Sequence, residues 1–183
     1  FDAPLVVCTV VPPETAREPK ASCSVAQVAQ LEYNEQVWNI VELEAIIFDC
    51  GQESRNRGKA LWANACARKD YGMGWNNINQ RRQTEAVLTT KQGEEVDVRQ
   101  VLSSGEWSSE AELQAVAAEV GSMRLDSDPL VFTLKKVRGK HAGKDVWHQF
   151  NFSPCKSPYT GGHCVLLQEN DVSHLMRIQE ELE

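Results

Sequence analysis

The sequence lacks any long uncharged apolar run. No stretch of its 183 residues approaches the roughly 18 apolar positions that a spanning helix needs, so no membrane span is expected in this chain. Positive charge is scarce. Lys and Arg total 19 against 26 Asp and Glu, a formal charge of −7, which has the wrong sign for a general nucleic-acid partner. Paired cysteines are missing too. Cys8, Cys23, Cys50, Cys66, Cys155 and Cys164 nowhere approach the close Cys pairs of a zinc site, so no residue is assigned to a metal. There is no phosphate-binding glycine loop, no G-x-S-x-G elbow and no H-E-x-x-H helix, so nothing points to an enzyme. No basic start with an apolar run marks a secretory signal. Reduced thiols in a cytoplasmic setting follow as the expectation, with a Cys155–Cys164 bridge geometrically open.

What is present suits a globular domain. Hydrophobic residues make up 42% and charged residues 25% of the chain, and a chain of this length buries roughly 70% of its unfolded surface. Residues 1–40 read as an extension: a β-branched strand at Leu5–Val11, a Pro-bearing loop at Glu14–Ser22, then a helix. Ser24 and Gln27 fit a capping box for that helix, with Val28, Leu31 and Val37 on one side.

The main domain spans residues 41–171. Leu43–Gly51 and Ala60–Asn64 form an antiparallel hairpin with a long polar loop. Ala65–Tyr71 is a short helix that Gly72 ends. Gln83–Thr90 looks helical, and Val96, Val98 and Val101 suggest a short amphipathic segment. Ser109 and Glu112 form a clear capping box before a helix carrying Leu113, Val116 and Val120, with Gly121 at its end. Three strands follow as a meander: Pro129–Val137, Asp145–Phe152 and Gly162–Glu169, with Ser153–Thr160 as a loop. Asp171-Val172-Ser173 opens an exit helix, 172–183, with Leu175, Ile178 and Leu182 on one stripe. The fold class is α+β with an antiparallel sheet.

The order of these pieces resembles a PAS domain. Ala45-Ile46-Ile47-Phe48-Asp49 followed by Leu61-Trp62-Ala63-Asn64-Ala65-Cys66 is similar to the first two strands of that family and their entry into a short helix. The meander at 130–169 is similar to its last three strands. Gln168–Ser173 running into Gln179-Glu180-Glu181-Leu182 is similar to its ending, an x-D-I-T turn leading into a helix. The resemblance covers residues 41–183 and implies a five-stranded antiparallel sheet covered by short helices on one face. The flavin-photosensing LOV subfamily is not matched, because its Asn-Cys-Arg-Phe-type run is absent. Residues 65–128 hold no His, which disfavours the usual haem ligand.

The resemblance implies a sensory and interaction module, not an enzyme. A small ligand in a cavity between sheet and helices, or dimerisation, would pass a signal through the exit helix to an attached effector such as a kinase or cyclase. A haem- or flavin-binding redox sensor is the alternative, and no cofactor is assigned. Strand alternation offers Phe132, Leu134, Val146, His148, Phe150, Val165 and Leu167 as candidate cavity or core residues. Leu175, Ile178 and Leu182 are the candidate seam of a homodimer. His141, His174 and the basic pairs Arg81-Arg82 and Lys135-Lys136 read as solvated.

Overall fold

The computed structural model describes residues 20–74 and 87–183, with the backbone alone described for residues 20–28. The expected strand at Leu5–Val11, Arg81-Arg82 and the first half of the expected helix at Gln83–Thr90 lie outside the described residues. Along the chain run α1 (Lys20–Ile40), β1 (Glu44–Asp49), β2 (Ala60–Ala63), α2 (Ala65–Tyr71), β3 (Met73–Gly74), β4 (Thr89–Thr90), α3 (Val98–Leu102), α4 (Glu110–Gly121), β5 (Leu130–Lys136), β6 (Val146–Lys156), β7 (His163–Asp171) and α5 (Ser173–Leu182). A 3₁₀ turn, Gly139–His141, links β5 to β6. The main sheet has the order β2-β1-β7-β6-β5, and β3 pairs with β4 separately. Every pairing in it is antiparallel.

The two faces of this sheet carry different cores. On the inner face Ile46, Phe48, Phe150, Phe152, Val165 and Leu167 pack against Ala67 of α2, Val101 and Leu102 of α3, and Leu113 and Val120 of α4. On the outer face Ala45, Ile47, Trp62 and Leu166 pack under Leu31 and Trp38 of α1. Interior strand β1 is therefore covered on both sides and reads as an unbroken apolar run instead of an alternating one. Edge strand β5 keeps its alternation, because the outer-face core includes none of its residues: Val131 and Thr133 are exposed while Leu134 and Lys136 are buried.

Several sequence expectations change. The helix of the extension already includes Lys20, so Ser24 lies inside it and is not its cap, and the loop expected through Ser22 ends sooner. Among its described side chains the buried stripe is Leu31, Asn34, Glu35 and Trp38, a spacing of three and four, with Trp38 in place of Val37, while the side chain of Val28 lies outside them. Thr89–Thr90 is extended, not helical. Strand β6 runs four residues further than expected, through Pro154, which lies opposite Val165. Proline is tolerated there because β5 ends with Leu130 opposite Phe152. Beyond Phe152, β6 is an edge on that side, and the missing N–H breaks no ladder. Cys155 and Cys164 face each other in register as free thiols, alongside free Cys50 and Cys66.

The joints follow local chemistry. Asn64 caps α2 by accepting from the Ala67 amide, and Gly72 stops the helix in the left-handed conformation at φ 65°. Ser109 caps α4 by accepting from the Glu112 amide at 3.2 Å. Together these helices close the inner face and leave one end of it polar.

Candidate functional site

At the end of the inner face nearest α5, the positions that elsewhere carry apolar side chains carry charge. Glu44 continues the Ile46/Phe48 face of β1, Lys136 the Phe132/Leu134 face of β5, and Glu169 the Val165/Leu167 face of β7. His148 does the same beside Phe150 on β6. Asp70 and Tyr71 at the end of α2, Ser104 after α3 and His141 of the 3₁₀ turn complete the cluster.

Lys136 is its centre and is only 1% exposed. Its ammonium donates to Glu169 Oε1 at 2.7 Å, to the Tyr71 hydroxyl at 2.8 Å and to Ser104 Oγ at 2.8 Å, which engages all three of its protons. It also sits 4.4 Å from the centre of the Tyr71 ring, a cation–π contact. Glu169, fully buried, accepts at Oε2 from the Tyr71 hydroxyl at 2.5 Å. His148 Nδ1 lies 2.7 Å from Glu169 Oε1, and facing an acceptor it carries the proton. Burial alone would raise the Glu169 carboxyl, but Lys136 and His148 outweigh it and hold it below its ordinary value. Burial, with Glu169 and Glu44 adding to it, pushes the Tyr71 hydroxyl well up, so it remains a donor.

The acidic side of the cluster is crowded. Glu44 and Glu169 are direct partners across β1 and β7 on the same face, an arrangement that repels when both are ionised. Asp70 Oδ1 lies 3.0 Å from His141 Nε2, and Asp70 Oδ2 is 3.9 Å from the Lys136 ammonium. Burial first, then Glu169 and Asp70, push Glu44 well above the ordinary carboxyl range, so it keeps its proton and offers it to Asp70. Burial lowers His141 against the pull of Asp70, and its ring stands edge-on to that of His148 at 5.0 Å.

The cluster adjoins the start of α5. His148 lies opposite Asp171 in the β6–β7 register. The amide of the preceding residue, Trp147, donates to Ser173 Oγ at 2.9 Å, and the Val172 amide donates to the Trp147 carbonyl at 2.8 Å. Asp171 Oδ1 accepts from the Ser173 amide at 2.8 Å. On its other side the cluster borders an open cavity of about 280 Å³, whose wall includes Asp70, Tyr71, Ser104, Lys136 and Arg138.

The sequence-based candidates divide by position. Phe132, Leu134, Phe150, Val165 and Leu167 lie in the inner core, and Val146 is half-buried at the start of the same face of β6. Phe132 stacks on Phe150 at 5.4 Å and on Phe152 at 6.0 Å, with Trp107 at 5.6 Å on its far side. These residues fill one another's space, and none of them lines the 280 Å³ cavity. His148 alone of the candidates belongs to the polar cluster. Leu175, Ile178 and Leu182 are 63%, 41% and 83% exposed on α5, a stripe left open among the described residues.

Two readings are corrected. Lys136 is not a solvated base, because it falls on the inner parity of β5 and meets Glu169 there. His141 is not a solvated loop residue, because the 3₁₀ turn folds it over Asp70 and buries it. Glu44, Asp70, Tyr71 and Glu169 were not singled out from sequence. The signal for Glu44, Lys136 and Glu169 was available: each is a charged residue in step with an apolar strand face.

The sheet order, the helices between β2 and β5 on its inner face and the helix leaving β7 give the arrangement that the sequence resemblance implied. The fold is PAS-like. No protein-family model matches the sequence, and no curated protein matches it. Solved structures do resemble it. A domain of a histidine kinase from Haloarcula marismortui shares 10% identity, with 75% of this chain and 97% of that one covered, at a TM-score of 0.39. The PAS domain of BvgS from Bordetella pertussis shares 14% identity, with 84% of this chain and 96% of that one covered, at a TM-score of 0.42. No helix among the described residues is long and apolar enough to cross a membrane.

Proposed function

We propose that the chain is a regulatory module of a cytoplasmic signalling protein, with residues 41–171 as the sensing unit and 172–183 as its output. The inner-face cluster around Lys136 and Glu169 senses, and α5 carries the result to an attached effector such as a kinase or cyclase. The observation that carries this reading is the joint between them. His148 bonds Glu169, its neighbour Trp147 binds Ser173 Oγ, and Asp171 holds the Ser173 amide. A change in the charge state of Glu169 or in what its neighbours bind moves the β6–β7 pair at the point where α5 begins. A ligand biases such a joint only by its preference for one of two arrangements. A small polar ligand reaches the cluster through the 280 Å³ cavity. The packed aromatic layer around Phe150 favours this reading over a planar haem or flavin among the same residues.

The output surface is the stripe Leu175, Ile178 and Leu182, whose spacing of three and four suits a two-copy seam between homodimer subunits.

Hydrogen exchange on wild type and Glu169→Gln tests the coupling. The amides of Trp147, Val172 and Ser173 are expected to exchange about tenfold faster in the variant, the effect of losing about 1.4 kcal/mol of local stability. The α4 amides between Glu110 and Gly121 serve as the internal control and are expected to be unchanged. Equal exchange at the joint would remove the cluster from the signalling path.

A further inference from the structure

Cys155 and Cys164 stand directly opposite each other where β6 pairs with β7, and both belong to the outer-face core as free thiols. Two residues further along the same ladder, the Ser157 amide donates to the Gly162 carbonyl at 2.7 Å. Hydrogen-bonded and non-bonded pairs alternate along an antiparallel ladder, so the two cysteines also occupy a hydrogen-bonded position. Opposed Cα atoms at such a position stand about 5.5 Å apart, a spacing that disulfides commonly use. The other described thiols are held elsewhere. Cys50 falls on the inner face, where its thiol donates to the Val120 carbonyl at 4.0 Å, and Cys66 of α2 donates to the Asn39 carbonyl at 3.9 Å. Cys164 also lines an open cavity of about 530 Å³ between loop 51–56 and turn 157–162, which gives a small reagent a route to its sulfur. From these observations we infer that Cys155 and Cys164 form a thiol–disulfide exchange site, whose reactant is the disulfide form of a small thiol such as glutathione.

The exchange takes two displacements. The Cys164 thiolate, at the cavity wall, attacks one sulfur of the small disulfide. That S–S bond breaks, a mixed disulfide forms on Cys164, and the departing small thiolate takes up the proton that Cys164 gave up. The Cys155 thiolate then attacks the Cys164 sulfur and expels the second small thiolate, which takes up the proton from Cys155. Two electrons pass from the cysteine pair to the small disulfide, and two small thiols leave. The position decides how the bridge behaves. Side chains at a hydrogen-bonded pair start wider apart than a bridge requires, so closing it draws the strands together and leaves a bond that is readily reduced again. Such a bond suits a reversible contact in a reducing compartment and not a permanent staple. Burial first, then Cys155 and Asp49, push the Cys164 thiol well up, and burial pushes Cys155 up too. Little thiolate is present at neutral pH, so the exchange is slow and answers to sustained oxidation. The site shares no residue with the Lys136 cluster and lies at the far end of β6 and β7 from Ser173, so it acts on the same two strands as a separate input.

The test uses the reduced wild-type chain, incubated with oxidised glutathione at mildly alkaline pH. The reaction is stopped with acid, and the chain is denatured, alkylated and mapped by peptide mass spectrometry. The expected product has lost two hydrogens and two alkylatable thiols, carries a Cys155–Cys164 link, and returns to the reduced form with dithiothreitol. The rate of bridging is expected to rise about tenfold per pH unit from neutral upward, as the thiolate fraction of a thiol titrating above that range does. The same incubation in concentrated urea is expected to spread links over the six cysteines. Cys155→Ser is expected to stop at a mixed disulfide on Cys164, while Cys66→Ser bridges as wild type does. The wild-type map decides the matter even where Cys155→Ser does not fold. Unreacted thiols at 155 and 164 after Cys66 has been oxidised would overturn the site. So would a link from either to another cysteine in the folded chain, or a folded chain no more selective than the one in urea.

Discussion

Lys136→Met is expected to lower stability by about 3–5 kcal/mol, read as a shift of the urea midpoint at neutral pH. The substitution keeps most of the side-chain length and removes only the charged head. What it leaves behind is Glu169, fully buried, with His148 and Tyr71 as its remaining donors. It also leaves Ser104 Oγ and the Tyr71 hydroxyl without the proton each accepts from the ammonium. The size of the effect comes from the uncompensated carboxylate and not from the intrinsic worth of the pair. Lys136→Met/Glu169→Gln is therefore expected to recover most of the loss, because both charges leave together. A loss below about 1 kcal/mol in the single variant would put Lys136 in the range of a solvent-exposed ion pair and contradict its burial.

Asn64→Ala is expected to cost about 3–5 kcal/mol for a different reason. The Asn64 carboxamide is fully buried and ties three segments together. Its oxygen accepts from the Ala45 amide at 3.0 Å and the Ala67 amide at 3.1 Å, and its nitrogen donates to the Leu43 carbonyl at 2.7 Å. Truncation removes the cap of α2, about 1 kcal/mol. It also strands a buried amide of β1 and the carbonyl just before it, each costing about 1–3 kcal/mol. Asn64→Asp keeps both acceptor contacts and loses the donor, so it is expected to fall between wild type and Asn64→Ala. Equal stability of Asn64→Ala and wild type would mean that water replaces the carboxamide at this joint.

Asn64 also shows why much of this fold was legible. The run Leu61-Trp62-Ala63-Asn64 encodes a local event, a strand ending in a cap that opens a helix, and local events survive in sequence. The same holds for Ser109 before α4, for Gly72 after α2, and for the alternation of β6 from Val146 to Phe152. Trp38 is less legible. Its partner Trp62 stands 6.0 Å away on an outer sheet face that only a distant helix covers, and periodicity within α1 does not name that face. The polar cluster was the hardest part to read. Its members come from β1, α2, β5, β6, β7 and two turns, and their meaning depends on strand order. Lys136 beside Lys135 looks like a solvated pair until β5 is placed at the sheet edge with one face inward. His148 was visible because imidazole on an apolar face attracts notice. Glu44, Lys136 and Glu169 obey the same parity rule, but charged residues near strand ends ordinarily mark where a strand leaves the core.

The central claim is that the buried cluster and the origin of the exit helix act as one energetic unit. A double-mutant cycle between Glu169→Gln and Ser173→Ala, by urea unfolding, tests it most directly. The two side chains are linked through His148 and Trp147 on one side and the Asp171 turn on the other. The predicted result is a coupling energy of about 1 kcal/mol, within the range for residues of one network. Additivity to within about 0.3–0.5 kcal/mol would mean that α5 begins without reference to the cluster, and would contradict the account.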